Sequence, residues 1–319
     1  MITDTQEAYI IEYPQAEVFA EQQEDIFWTA KEIGMEKDLH DLHNSLTEAE
    51  THGVVTVLKL FTKYEVHVGN EYWLDFVRRK FKRPEIQRMA SLFGMFELNV
   101  HAPFYNKINE VLNLNTEEFY NSYIEDKTLK GRMDWLDSQF GGDDTLYSLA
   151  VGSIVEGAVL YSNFAFLKHF QAEGKNKLVN LTAGINFSVR DENLHSLAGA
   201  WLFNTLKEES ELDIIATDRL TQKVNKTCNK ILEHESRIID MIFEKGDIRG
   251  ITEHQMKQFI KARLNLCLSQ INLEPLYEVE YDPISKWFYK NINSGQLHDF
   301  FHKQGNNYNR DHSEAKFVW

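Results

Sequence analysis

Cysteine, proline and positive charge are all scarce in this chain of 319 residues. Cys228 and Cys267 are the only cysteines and form no CxxC pair, which excludes a disulfide framework, a zinc knuckle and a thiol redox motif. Such usage suits a reducing cytoplasm. The five prolines, Pro14, Pro84, Pro103, Pro275 and Pro283, leave long stretches free to be continuous helix. Lys and Arg total 34 against 49 Asp and Glu, a net charge of -15, so the surface would repel phosphate backbones and anionic lipid. Neither nucleic acid nor a membrane is an expected partner, and Arg78-Arg79-Lys80 with Lys82-Arg83 reads as a solvated helix end. Residues 1–13 are polar and acidic with no basic-then-apolar signal, and no apolar run reads as the roughly 18 residues of a membrane span.

What is present is helical periodicity in a globular composition, 43% hydrophobic and 26% charged. From Val54 to about Lys80, the positions Val54, Val57, Leu58, Phe61, Val68 and Tyr72 recur at three and four residues, the stripe of a helix packed on one side. Ile86, Met89, Phe93, Phe104 and Ile108 continue the period through a second long helix after Pro84. Leu146, Leu149, Leu160 and Leu167 trace a third, and Leu178, Leu181, Ile185 and Leu194 a fourth. The polar stretch 113–144 leaves room for two shorter helices as a crossover, and further helices are expected around 220–243 and 253–268. The fold class is all-α, with residues 1–290 as one helical domain. From 291 to 319 the chain turns Asn- and His-rich and loses periodicity, which predicts a flexible tail ending in the apolar Phe317-Val318-Trp319.

The apolar stripes are interrupted by acids and imidazoles. Glu65 falls four after Phe61, Glu97 four after Phe93 with His101 four further on, Glu156 seven after Leu149, and Glu192 and His195 seven and ten after Ile185. Four helices thus each point at least one carboxylate inward. Isolated buried carboxylates cost several kcal/mol each, and four together repel one another, so the pattern needs compensating cations. Four Glu and two neutral His carry about -4, which two divalent ions cancel, and oxygen with imidazole donors suits iron, or alternatively manganese. A Glu from each of two helices and a Glu/His pair from each of two others is the ligand inventory of dimetal carboxylate bundles. Glu192-Asn193-Leu194-His195 by itself is weak, because Glu-x-x-His arises by chance in a chain with 12 histidines and 49 acidic residues; the joint pattern carries the argument. The remaining ten histidines read as surface or capping residues.

These residues resemble the ribonucleotide reductase small subunits, which have the ferritin-like fold. The likeness runs from Phe27-Trp28 through the segment ending in Glu65, through Glu97 to Tyr105 and Val155 to Tyr161, and to Arg190-Asp191-Glu192-Asn193-Leu194-His195, the most specific match. It implies a site that activates oxygen and oxidises Tyr105, four after the ligand histidine, and a hydrogen-bonded relay of Trp28, Asp191 and His101. It also implies a large catalytic subunit as partner, docked through the C-terminal tail with Tyr308 as the relay tyrosine (Tyr289 being the other candidate), and a homodimer. Phe104, Leu160 and Phe164 would wall a dry pocket. One departure stands out: the family spaces its second helix Glu-x-x-His, whereas three residues separate Glu97 from His101. Either Glu97 is the ligand after a local adjustment, for which Pro103 supplies a cause by disrupting that turn, or the site lacks one carboxylate. The first is favoured. The rival readings are a ferritin-like oxidase or oxygenase with its own organic substrate, and a helical scaffold without metal.

Overall fold

Helix starts follow local chemistry. A computed structural model describes residues 1–140 and 142–290; the expectations for Tyr308, Phe317 to Trp319 and the tail fall outside the described residues. Helix α1 (Pro14–Asp25) opens on a proline whose missing N–H costs nothing in the first turn. Helix α2 (Glu48–His67) starts from a capping box, with the Thr47 hydroxyl accepting from the Glu50 N–H and the Glu50 carboxylate accepting from the Thr47 N–H. It continues through a π segment, Val68–Val77.

The next rod is α3 (Pro84–Phe96), a π turn at Glu97–His101, and α4 (Ala102–Val111). The crossover holds the two short helices expected there, α5 (Glu117–Glu125) and α6 (Lys127–Phe140). A third rod joins α7 (Thr145–Ile154), a π turn at Val155–Val159 and α8 (Tyr161–Lys168). The fourth is α9 (Val179–Glu209). Then α10 (Ile214–Ile242), capped by Asp213, and α11 (Glu253–Gln270) pack on one another, followed by the short α12 (Ile284–Phe288). Among the described residues the only β pairing is one isolated bridge, Ile248 with Ile251. Helix α9 lies against α7 and the 155–159 turn, α2 against α4, and α3 against both α1 and the π segment, so the four rods enclose one core.

Three details differ from the sequence reading. The stretch Thr145–Ala172 is long and apolar enough to cross a membrane, contrary to expectation, but its most apolar window is wholly buried: it is the central rod of the bundle. Arg83 is not a solvated helix end. It is 5% exposed, donates from Nε and Nη2 to the Met1 carbonyl at 3.1 and 2.8 Å and pairs with Glu12, which ties the N-terminal segment to α3. His169 and His234 are buried rather than on the surface, and burial pushes His169 down to about 3 and His234 down to about 4, so both are neutral core side chains at neutral pH.

Candidate metal centre

Glu65, Glu97, His101, Glu156, Glu192 and His195 all converge in the interior, each at most 2% exposed. Their donor atoms form two sets that share Glu97 and Glu192. Glu65, Glu97, His101 and Glu192 make one, Glu97, Glu156, Glu192 and His195 the other, with the donor atoms of each set within 4.8 Å of one another. His101 Nδ1 lies 2.9 Å from Glu97, 3.2 Å from Glu192 and 3.9 Å from Glu65. On the other side, His195 Nδ1 lies 2.7 Å from Glu97, 3.8 Å from Glu192 and 3.9 Å from Glu156.

The extra residue between Glu97 and His101 is absorbed by the π turn, in which the Ala102 N–H bonds to the Glu97 carbonyl, five residues back. A π turn takes one more residue per turn than an α turn, so Glu97 and His101 share a face despite the longer spacing. Pro103 sits just beyond, where its missing N–H would interrupt an α ladder. The 155–159 turn carries Glu156, and Glu65 stands just before the 68–77 segment. Gly69 lets that segment approach closely, since a Cβ there would fall 2.8 Å from the Glu97 Cβ. The Tyr64 hydroxyl donates to the Val155 carbonyl at 3.1 Å, cross-tying the neighbours of Glu65 and Glu156.

Each imidazole is held from behind. His101 Nε2 lies 3.1 Å from Asp191 Oδ2, which also accepts from Trp28 Nε1 at 2.7 Å, and His195 Nε2 lies 2.9 Å from Gln23 Oε1. Both Nδ1 atoms therefore face the carboxylates, the arrangement that orients ligand histidines. Trp73 Nε1 donates to Glu156. The expected Trp28, Asp191 and His101 are thus in contact, whereas Gln23 and Trp73 escaped the sequence reading; only Trp73, an indole on the apolar face eight residues after Glu65, left a signal that could have been followed.

Burial pushes the Glu65, Glu156 and Glu192 carboxyls well above the usual carboxylate range, and neighbouring carboxylates add to it. Burial acts the same way on Glu97, but His101 and His195 outweigh it and hold Glu97 below that range. Both oxygens of Glu65 and Glu156 Oε2 lack hydrogen-bond partners. A dry cluster of inward acceptors, short of donors, is what two divalent cations would satisfy, so the residues fit a dimetal group.

Tyr105 is fully buried beside this cluster, its ring stacked on Phe61 at 4.0 Å and 6°. Burial drives its hydroxyl well above 10 and Glu65 adds to this, while His101 and Ser188 act in the opposite direction. Phe104, Leu160 and Phe164 are buried, with the Phe164 ring stacked on Phe61 at 5.4 Å.

The chain is similar to known proteins along most of its length. The chain is 28% identical over 328 residues to the probable ribonucleoside-diphosphate reductase small subunit 048L of Invertebrate iridescent virus 3, covering 97% of this chain and 85% of that protein. It is 25% identical over 311 residues to the ribonucleoside-diphosphate reductase subunit beta of Bacillus subtilis, covering 92% and 88%. Among solved structures, dimanganese(II)-NrdF of Streptococcus sanguinis superposes with a TM-score of 0.77 at 20% identity, covering 89% of this chain and 98% of that one. The Clostridium botulinum ribonucleotide reductase R2 subunit gives 0.73 at 22%, covering 86% and 87%. These two establish the fold. Residues 6–283 match the family model for the ribonucleotide reductase small chain, and to that family this chain, with its all-α ferritin-like bundle, belongs.

Proposed function

We propose that Glu65, Glu97, His101, Glu156, Glu192 and His195 would hold two metal ions, with Glu97 and Glu192 belonging to both donor sets, and that Tyr105 is the side chain oxidised. The observation that carries this is the pair of four-donor sets sharing two carboxylates. As a ribonucleotide reductase small chain, the protein serves the reduction of ribonucleotides to deoxyribonucleotides together with a large catalytic subunit. Iron is the first assignment and manganese the second, since the donors suit both; manganese is the metal named for the Streptococcus sanguinis neighbour.

When bound, such a pair supplies oxygen activation and a strong one-electron oxidant. The chain's own residues do the rest. Tyr105 holds its proton on Oη, because burial and Glu65 disfavour the phenolate. Phe61, Phe104, Leu160 and Phe164 keep water from the ring. Asp191 accepts from Trp28 and fixes His101, a continuous polar contact from the indole to a ligand that suits electron delivery. The tail 291–319, with Tyr308 as relay and Phe317 to Trp319 as anchor, docks to the large subunit; the chain works as a homodimer in the cytoplasm.

The test is electron paramagnetic resonance of the protein reconstituted with iron and oxygen. Wild type is expected to give a tyrosyl signal that Tyr105→Phe lacks; the same organic radical in both would remove Tyr105 as carrier.

A further inference from the structure

Arg263 on α11 is 1% exposed and forms no ion pair with a carboxylate among the described residues. A buried guanidinium without a counter-charge is costly. Its donors are spent elsewhere. Nε and Nη2 both donate to the Gly157 carbonyl, at 2.9 and 2.6 Å, and Nη1 donates to the Tyr289 hydroxyl at 2.8 Å. The guanidinium carbon sits 3.8 Å from the Tyr161 ring centroid, a cation–π contact that replaces part of the lost hydration.

Gly157 immediately follows the ligand Glu156, inside the 155–159 π turn and just before α8 begins. Carbonyls at such a junction lose helical partners. The spot is also tightly packed, since a Cβ on Gly157 would fall 2.4 Å from Ser196 Oγ and 2.5 Å from Cys267 Sγ. Three elements therefore meet there: the turn carrying Glu156, α9 next to His195, and α11. A forked pair of charged hydrogen bonds on that one carbonyl fixes the rotation of the turn, and with it the direction in which Glu156 points.

We infer that Arg263 is a positioning residue for the ion held by Glu156 and His195, and that the Tyr289 hydroxyl locks Arg263 in place. This rests on the dimetal reading above. Its consequence is asymmetry: loosening the clamp weakens one ion and spares the one held by Glu65 and His101.

The test is titration of the full-length, metal-free chain with Mn(II) alone, free ion being followed by its electron paramagnetic resonance signal. Wild type takes up two ions. Arg263→Lys, which keeps the charge but loses the fork, is expected to leave one binding class unchanged and weaken the other about 10- to 100-fold, the usual effect of losing an outer partner of a ligand. Tyr289→Phe, which removes one hydroxyl and is the decisive variant should Arg263→Lys fail to fold, weakens the same class about two- to tenfold. A general loss of stability would lower both classes together. Isotherms in which both classes fall alike, or in which Arg263→Lys matches wild type, overturn the role of Arg263, and a Tyr289→Phe isotherm that matches wild type overturns the lock. A wild type that binds fewer than two ions instead overturns the dimetal reading beneath it.

Discussion

Removing Asp191 should unbalance the two halves of the metal centre. Its Oδ2 accepts from Trp28 Nε1 at 2.7 Å and braces His101 Nε2 at 3.1 Å, both inside a dry core. Hydrogen bonds to a charged group contribute about 1.5–3 kcal/mol. Losing the bond that orients a ligand histidine lowers metal affinity about 10- to 100-fold, equal to about 1.4–2.8 kcal/mol. The two ranges agree, so Asp191→Ala should cost the His101 side about one to two orders of magnitude. Asp191→Asn keeps the shape but offers a neutral acceptor of roughly half the strength, and its loss should fall at or below the lower end. His195 is braced separately by Gln23 at 2.9 Å, so its side should hold. Gln23→Ala reverses the pattern. Two-class metal titration of the three variants reads this directly, and equal weakening of both classes by Asp191→Ala, or none, would refute the reasoning.

Other expectations follow from the same packing. Phe61→Ala removes the ring stacked on Tyr105 and should cost about 3–5 kcal/mol of stability by denaturant unfolding; it should also shorten the life of a radical on Tyr105, and an unchanged decay rate would contradict the shielding role. Gly69→Ala drives a methyl against the Glu97 Cβ and should lower uptake of both ions, because Glu97 belongs to both sets; two ions bound as in wild type would contradict it. Glu235, buried and paired with Arg132 at 3.2 Å, is pushed by burial from 4.5 up to about 7. The folded state keeps a proton there that the unfolded chain has lost, so stability is full below about pH 4.5 and declines by about 3 kcal/mol as pH rises through 7. Urea unfolding of wild type against Glu235→Gln at about pH 5 and about pH 8 should show that decline in the difference, and a difference independent of pH would contradict it.

Much of this was legible in sequence because a carboxylate on an apolar stripe breaks a strong periodicity. Glu65, Glu97, Glu156 and Glu192 were visible for that reason, and the crossover at 113–144 because polarity and length left room for two helices. Helix phase sufficed where rods are long. It could not say how Glu97 and His101 would share a face, since a π turn is a backbone choice that residue types only hint at, here through Pro103. Nor could it find Gln23 or Arg263, each more than 100 residues in sequence from the group it holds, His195 or Gly157. The stripe of 145–172 was legible as core but not as span-length, because the inward Glu156 and the polar Asn163 broke the run to the eye. Arg83 looked solvated only because its partners, Glu12 and the Met1 carbonyl, lie about seventy residues and more upstream.

The most direct measurement is anomalous X-ray diffraction from crystals of the manganese- or iron-loaded chain. Two peaks are predicted, one among Glu65, Glu97, His101 and Glu192 and the other among Glu97, Glu156, Glu192 and His195, with Glu97 and Glu192 between them. A single peak, or peaks outside these six side chains, would contradict the account.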